Sequence, residues 1–183
     1  GAWTSRRGSA AARAGKVAAR VRALPSRPLD AAERAAAALV FGDAVEFDRV
    51  RVHAPASGLV AVSRRAFVIE DAIYVPAAFL PLSPRVLVHE LVHVWQHQNG
   101  GHAYIADSVQ AQLLGEGYAL ERAFFERRAW SALNCEQPAT LIEEAFAQGH
   151  FQGRAVSLAG QNATGWVEAA VRELQAGRGA GFD

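Results

Sequence analysis

One stretch, Ser83 to Gln98, constrains this chain more than any other. Ser83 is a good N-cap, Pro84 suits the first helical position, and Asn99-Gly100-Gly101 is a natural stop, so the spacing predicts one helix running to about Gln98. Inside it lies His89-Glu90-Leu91-Val92-His93, an H-E-x-x-H motif. Residues four apart share a helix face, so both imidazoles project together and can hold one Zn²⁺. Glu90 sits beside the first of them, where its carboxylate can take a proton from water acidified by the metal, the requirement for amide hydrolysis at neutral pH. Val88, Leu91, Val92 and Trp95 anchor the helix in a core.

A catalytic zinc site needs a third protein ligand and an open position for water. His97 fails on geometry, since it lies two turns from His89, about 12 Å along the axis. Asn99 stands six residues after His93, where a metzincin would carry its third histidine. A glutamate on a following helix remains, with Glu116, Glu121, Glu126, Glu136, Glu143 and Glu144 as candidates. Glu136 has the best local argument: Asn134-Cys135-Glu136-Gln137 has capping-box spacing and Pro138 fits a first turn, so Glu136 would be held at a rigid helix start. A mere dipole interaction at that helix start is the competing reading.

The rest of the chain sets bounds. Its 183 residues suit one domain with a real core, and no apolar run approaches the roughly 20 residues of a membrane span. The lone Cys135 excludes an internal disulfide, and a net charge of +1 argues against nucleic-acid binding. The absence of methionine and the start at Gly1 read as a processed chain whose true start is missing. Seven basic residues and no acid precede Asp30, which predicts a basic, disordered or helical leader over 1–28, a compact domain over 29–176 and a flexible tail over 177–183. Within the domain, Asp30 caps a helix to about Phe41. Glu46 to His53 reads as an irregular strand. Leu59–Val62, Ala66–Ile69 and Ala72–Val75 read as further short sheet segments, with a turn at Glu70-Asp71. More helix is expected over 105–114, 117–132, 136–148 and 166–175. The fold class is α+β, mainly helical, with a small antiparallel or mixed sheet beside the H-E-x-x-H helix.

Val88 to Gln98 resembles the H-E-L-x-H-V-x-Q signature of the core metallopeptidase domain of extracellular contractile injection systems and, within that group, proteins described as Vgr-related. The resemblance takes in Val40-Phe41-Gly42-Asp43, Asp48 to His53 and Ala72 to Val75 upstream. Downstream, Asn134-Cys135-Glu136-Gln137-Pro138-Ala139 is similar to the family's N-P-E-Q-Q-A, with Cys135 for the usual Pro and Pro138 for the second Gln. It covers roughly Leu29 to Gln148. It implies a zincin-like fold of gluzincin type, Glu136 as third zinc ligand, a peptidase activity, and association with a contractile secretion apparatus.

An oxyanion donor is also needed. Tyr118 is the first candidate because the family often has a tyrosine there; His102 and Tyr104 follow, and a tyrosine in a helical stretch is more often an amphipathic core residue. The Ala72–Val75 strand is read as an edge that pairs with an extended peptide, and Gly149 to Gly165 as a loop that can lie over the site. Cys135 reads as a small buried side chain, His53 and His150 as structural, Arg127-Arg128 as a solvated face, and Trp130 and Trp166 as core. The expected function is a zinc metallopeptidase with His89, His93 and Glu136 as ligands and Glu90 as base, acting on a peptide or protein. The alternatives are a catalytically silent module of an injection apparatus and, third, hydrolysis of a non-peptide amide. The sequence assigns no compartment: soluble, cytoplasmic and exported by such an apparatus all stay open.

Overall fold

The structure is a computed structural model, and it describes residues 25–55, 57–62, 65–100 and 117–179. The basic leader up to residue 24, the expected helix over 105–114, and His102, Tyr104 and Glu116 lie outside the described residues.

The fold is α+β, with helices packed around a small mixed sheet. A short strand β1 (Ser26–Arg27) leads into α1 (Ala31–Phe41). Asp30 accepts from the Glu33 amide while Glu33 accepts from the Asp30 amide, a complete capping box, and Arg27 pairs with Glu33 at 2.6 Å. Then come β2 (Arg51–His53), a helical turn α2 (Leu59–Val62), β3 (Phe67–Ile69) and β4 (Ala72–Tyr74). The sheet order is β1-β2-β4-β3, with β2 and β4 parallel and the outer pairs antiparallel. Val52 and Ile73 face the core, whereas His53, Tyr74 and Phe67 stack on the other face, with Tyr74 4.6 Å from His53 and 5.1 Å from Phe67.

Three expectations for this region are corrected. Glu46 to His53 is only half strand: Phe47–Arg49 forms a 3₁₀ turn, because Phe47 and Val50 lie three apart and meet the core by a turn rather than by alternation. Leu59–Val62 is helical, a short apolar run whose type periodicity alone cannot decide. The strand before the long helix is not an edge: β4 sits between β2 and β3, and the edges are β1 and β3 among the described residues.

The long helix α3 (Pro84–Gly100) is the centre of the molecule, buried on nearly every side from Leu87 to Gln96. It is followed by α4 (Gly117–Phe125), α5 (Glu136–Ala147), a hairpin of β5 (Ser157–Leu158) and β6 (Gln161–Asn162), and α6 (Thr164–Gln175). The helix expected over 117–132 ends at Phe125: the Arg128 amide reaches back to the Ala123 carbonyl, Arg127 takes a left-handed φ of 51°, and Trp130–Ala132 continues as a 3₁₀ turn. The segment after α5 does not lie over the helix start that carries Glu136. It forms a 3₁₀ turn and the hairpin at the opposite end of α5, about 17 Å of helix away. Trp95 donates to the Leu174 carbonyl at 2.9 Å, locking α6 to α3, and Trp130 donates to the Arg178 carbonyl, holding the first residues of the expected tail.

Candidate metal centre

α3 and α5 run antiparallel: Arg85 near the start of α3 pairs with Glu143 and Glu144 late in α5, while Gln96 near its end reaches Cys135 before α5 begins. That arrangement carries His89 and His93 to the first turn of α5. The possible ligand atoms of His89, His93 and Glu136 all lie within 4.8 Å of one another. Glu136 Oε2 stands 3.6 Å from His89 Nε2 and 3.5 Å from His93 Nε2. Ligands about 2.0–2.2 Å from one zinc in a tetrahedron are roughly 3.3 Å apart, so the two separations from Glu136 are close to those such an ion requires.

Glu136 is held by its cap. The Asn134 side-chain oxygen accepts from the amides of Glu136 and Gln137 at 3.1 and 3.0 Å, and Gln137 accepts from the Asn134 amide at 3.0 Å. Buried Pro138, Ala139, Leu141 and Ile142 then fix the helix against the core.

Both imidazoles are oriented from behind. His89 Nδ1 bonds the Glu143 carboxylate at 2.8 Å, and that carboxylate is itself held by Arg85 at 2.6 Å. His93 Nδ1 lies 2.9 Å from Gln96 Oε1, while Gln96 Nε2 donates to the Cys135 carbonyl at 2.8 Å. A carboxylate and an amide oxygen only accept, so each ring donates through Nδ1 and presents Nε2 towards Glu136. The cluster also shows a vacancy in its bonding. Glu136 Oε1 is buried and has no hydrogen-bond partner among the described residues. A donor set of two neutral imidazoles and one carboxylate, with a buried oxygen unsatisfied, fits a zinc-type cation.

The electrostatics follow from this packing. Burial by itself would lower the His89 pKa, but the hydrogen bonds to Glu136 and Glu143 outweigh it and push it up to about 10. Burial would raise Glu136, yet the two imidazoles hold it well below the usual carboxylate range. Burial would likewise raise Glu143, but its hydrogen bonds to His89 and Arg85 outweigh burial and its carboxyl is lowered. Glu90 differs: burial dominates and its carboxyl is pushed up, against the pull of His93 and His89. It is only 6% exposed and makes no hydrogen bond among the described residues.

Of the other glutamates weighed as ligands, Glu121 and Glu126 are exposed, the latter paired with Arg122 and Arg128, and Glu143 and Glu144 stand behind the cluster with Arg85. His97 is not among the clustered residues. Tyr118 is the second residue of α4; its side chain lies outside the described part. Cys135, His53 and Trp130 are buried, Trp166 packs against the core, His150 lies against Phe151 and Arg127 is exposed. Arg85, Gln96 and the supporting role of Glu143 escape a reading of spacing. For Gln96 the signals in the chain are its place three residues after His93, on the same helix face, and its position as the last residue of the H-E-L-x-H-V-x-Q signature.

Residues 28–101 match the family model described as eCIS core domain. The match associates this stretch, from just after β1 through α3, with extracellular contractile injection systems. It contains both histidines and Glu90, and it stops before α5, short of the Gln148 to which the resemblance in the sequence extends. No curated protein and no solved structure matches the chain. No helix among the described residues is long and apolar enough to cross a membrane.

Proposed function

We propose that the chain is a zinc-dependent peptidase with a zincin-like, gluzincin-type centre, acting in the setting of a contractile injection system. The observation that carries this reading is the convergence of His89 Nε2, His93 Nε2 and the Glu136 carboxylate beside a buried Glu90 that makes no hydrogen bond among the described residues. Zinc held by those three side chains would polarise water and the scissile carbonyl. Glu90 then accepts the proton of the attacking water and returns it to the leaving amine; its raised pKa suits a group that must do both. Glu143 and Arg85 keep the His89 ring aligned while charge builds up. Tyr118 is the proposed donor to the oxyanion, and an extended peptide or protein is the proposed substrate.

The test uses the whole chain, with zinc measured by elemental analysis and hydrolysis followed on a mixed peptide library. Glu90→Gln is expected to keep stoichiometric zinc and to lose hydrolysis by about 10²–10⁴-fold. Wild-type rates in that variant overturn the mechanism. A second reading is favoured by the family match, which names an injection-system domain and leaves Glu136 outside it. On that reading the chain is a silent zincin-like module of the apparatus, and its mark is wild-type protein that binds zinc and cleaves neither peptides nor other amides.

A further inference from the structure

Gln96 is buried, with 1% of its surface exposed, at the centre of the molecule, and a neutral amide in such a place must be explained by its partners. Its oxygen faces His93 Nδ1 at 2.9 Å and its nitrogen faces the Cys135 carbonyl at 2.8 Å. The two ends of one side chain therefore touch a ligand-bearing helix and the peptide immediately before Glu136. The amide cannot be turned round, because its NH₂ would then face the proton on His93 Nδ1 and its oxygen would face the Cys135 oxygen. Only one orientation satisfies both neighbours, and in it His93 Nε2 is left bare towards Glu136 Oε2, 3.5 Å away.

His89 is served differently. Its Nδ1 partner is Glu143, which is held by the half-exposed Arg85, so that support is a charged pair at the rim and spans no ligand-bearing peptide. Gln96 spans the two elements that must stay in register for three ligands to meet one ion.

We propose that Gln96 is a positioning residue of the metal centre: it fixes the tautomer and orientation of His93 and, through the Cys135 carbonyl, the position of Glu136. This rests on the reading of the cluster as a zinc site. Replacing Gln96 with Met keeps the bulk and removes both bonds. Replacing it with Glu keeps an acceptor for His93 but sets an oxygen against the Cys135 carbonyl.

The experiment measures zinc affinity of the full chain by competition with a chromophoric chelator, together with the visible spectrum of the Co²⁺-loaded form. Gln96→Met is expected to weaken zinc by about 10–100-fold and to alter the Co²⁺ spectrum. Gln96→Glu is expected to recover part of that affinity. Its remaining deficit should vanish in a Glu136→Ala background, since it travels through Cys135 to Glu136. Should Gln96→Met fail to fold by circular dichroism, the Gln96→Glu and Glu136→Ala pair carries the test alone. Wild-type affinity in Gln96→Met, or an unchanged deficit of Gln96→Glu without Glu136, overturns the proposal. Wild-type protein that takes up no zinc, or His93→Ala that binds it undiminished, overturns the zinc reading beneath it.

Discussion

The two imidazoles are alike in the sequence and unlike in their surroundings, and the difference has a measurable consequence. His89 stands between two carboxylates, whereas His93 stands between Glu136 and an amide. In metal-stripped protein His89 and Glu136 form one ion pair. His89 is raised from 6.5 to about 10 in the folded state, so its contribution to stability is complete below about pH 6.5 and is lost as the pH climbs towards 10. Glu136 is lowered from 4.5, so its contribution is present above about pH 4.5 and is lost on acidification. Chelator-treated protein should therefore draw its largest stabilisation from this pair between about pH 4.5 and 6.5, read as the urea midpoint across pH, and His89→Gln should flatten the alkaline limb of that profile. That His89 and His93 share a face was legible because helical periodicity alone puts residues four apart together, with Glu90 next to the first of them. Glu136 was legible as a capped helix start, but its approach to the histidines depends on how α5 docks. Glu143 illustrates the limit: it was weighed as a ligand, and only the antiparallel docking of α5 turns it towards the back of His89 rather than towards Glu136.

Helix ends were easier to read than strands. Asp30 and Asn134 act through side-chain hydrogen bonds to amides three residues along the chain, so their chemistry is local and visible in the sequence. Strands of two or three residues draw their identity from partners far away: β2 pairs with β4 across α2 and β3, and neither the parallel pairing nor the central place of β4 has a local signal. The end of α4 was missed for another reason. α4 and α6 close with the same pair of back-reaching amides, Arg127 and Arg128 in one case and Gly177 and Arg178 in the other. Gly177 takes its φ of 67° without cost, while Arg127 holds 51° with a side chain attached. Arg127→Gly is expected to stabilise the fold by about 0.5–1 kcal/mol, a rise of about 1–3 °C in the thermal midpoint. A fall would show that exposed Arg127 has contacts that outweigh its backbone strain.

Across the whole molecule, α3 is the common wall: the sheet lies on it, α1 and α6 flank it, and α5 brings Glu136 to its two histidines. A metal joining α3 to α5 should then act on global stability and not only on the site. Zinc at 100 times its dissociation constant is expected to add about 2.7 kcal/mol, and His89→Ala should abolish the accompanying rise in thermal midpoint. An equal rise in that variant would mean the ion binds elsewhere. The order of these parts along the chain has a further effect. The histidines precede Glu136 by some forty residues, and the stretch that matches the injection-system domain ends between them. On the ribosome, at about 5–20 residues per second, the histidine pair is made roughly 2–8 s before the glutamate that completes the centre. On the zinc-peptidase reading proposed above, a nascent chain would thus carry a half-formed chelate and no competent water-activating site. Hydrolysis would begin only when α5 had been synthesised and laid against α3, which would spare the maker from its own product until Glu136 is in place.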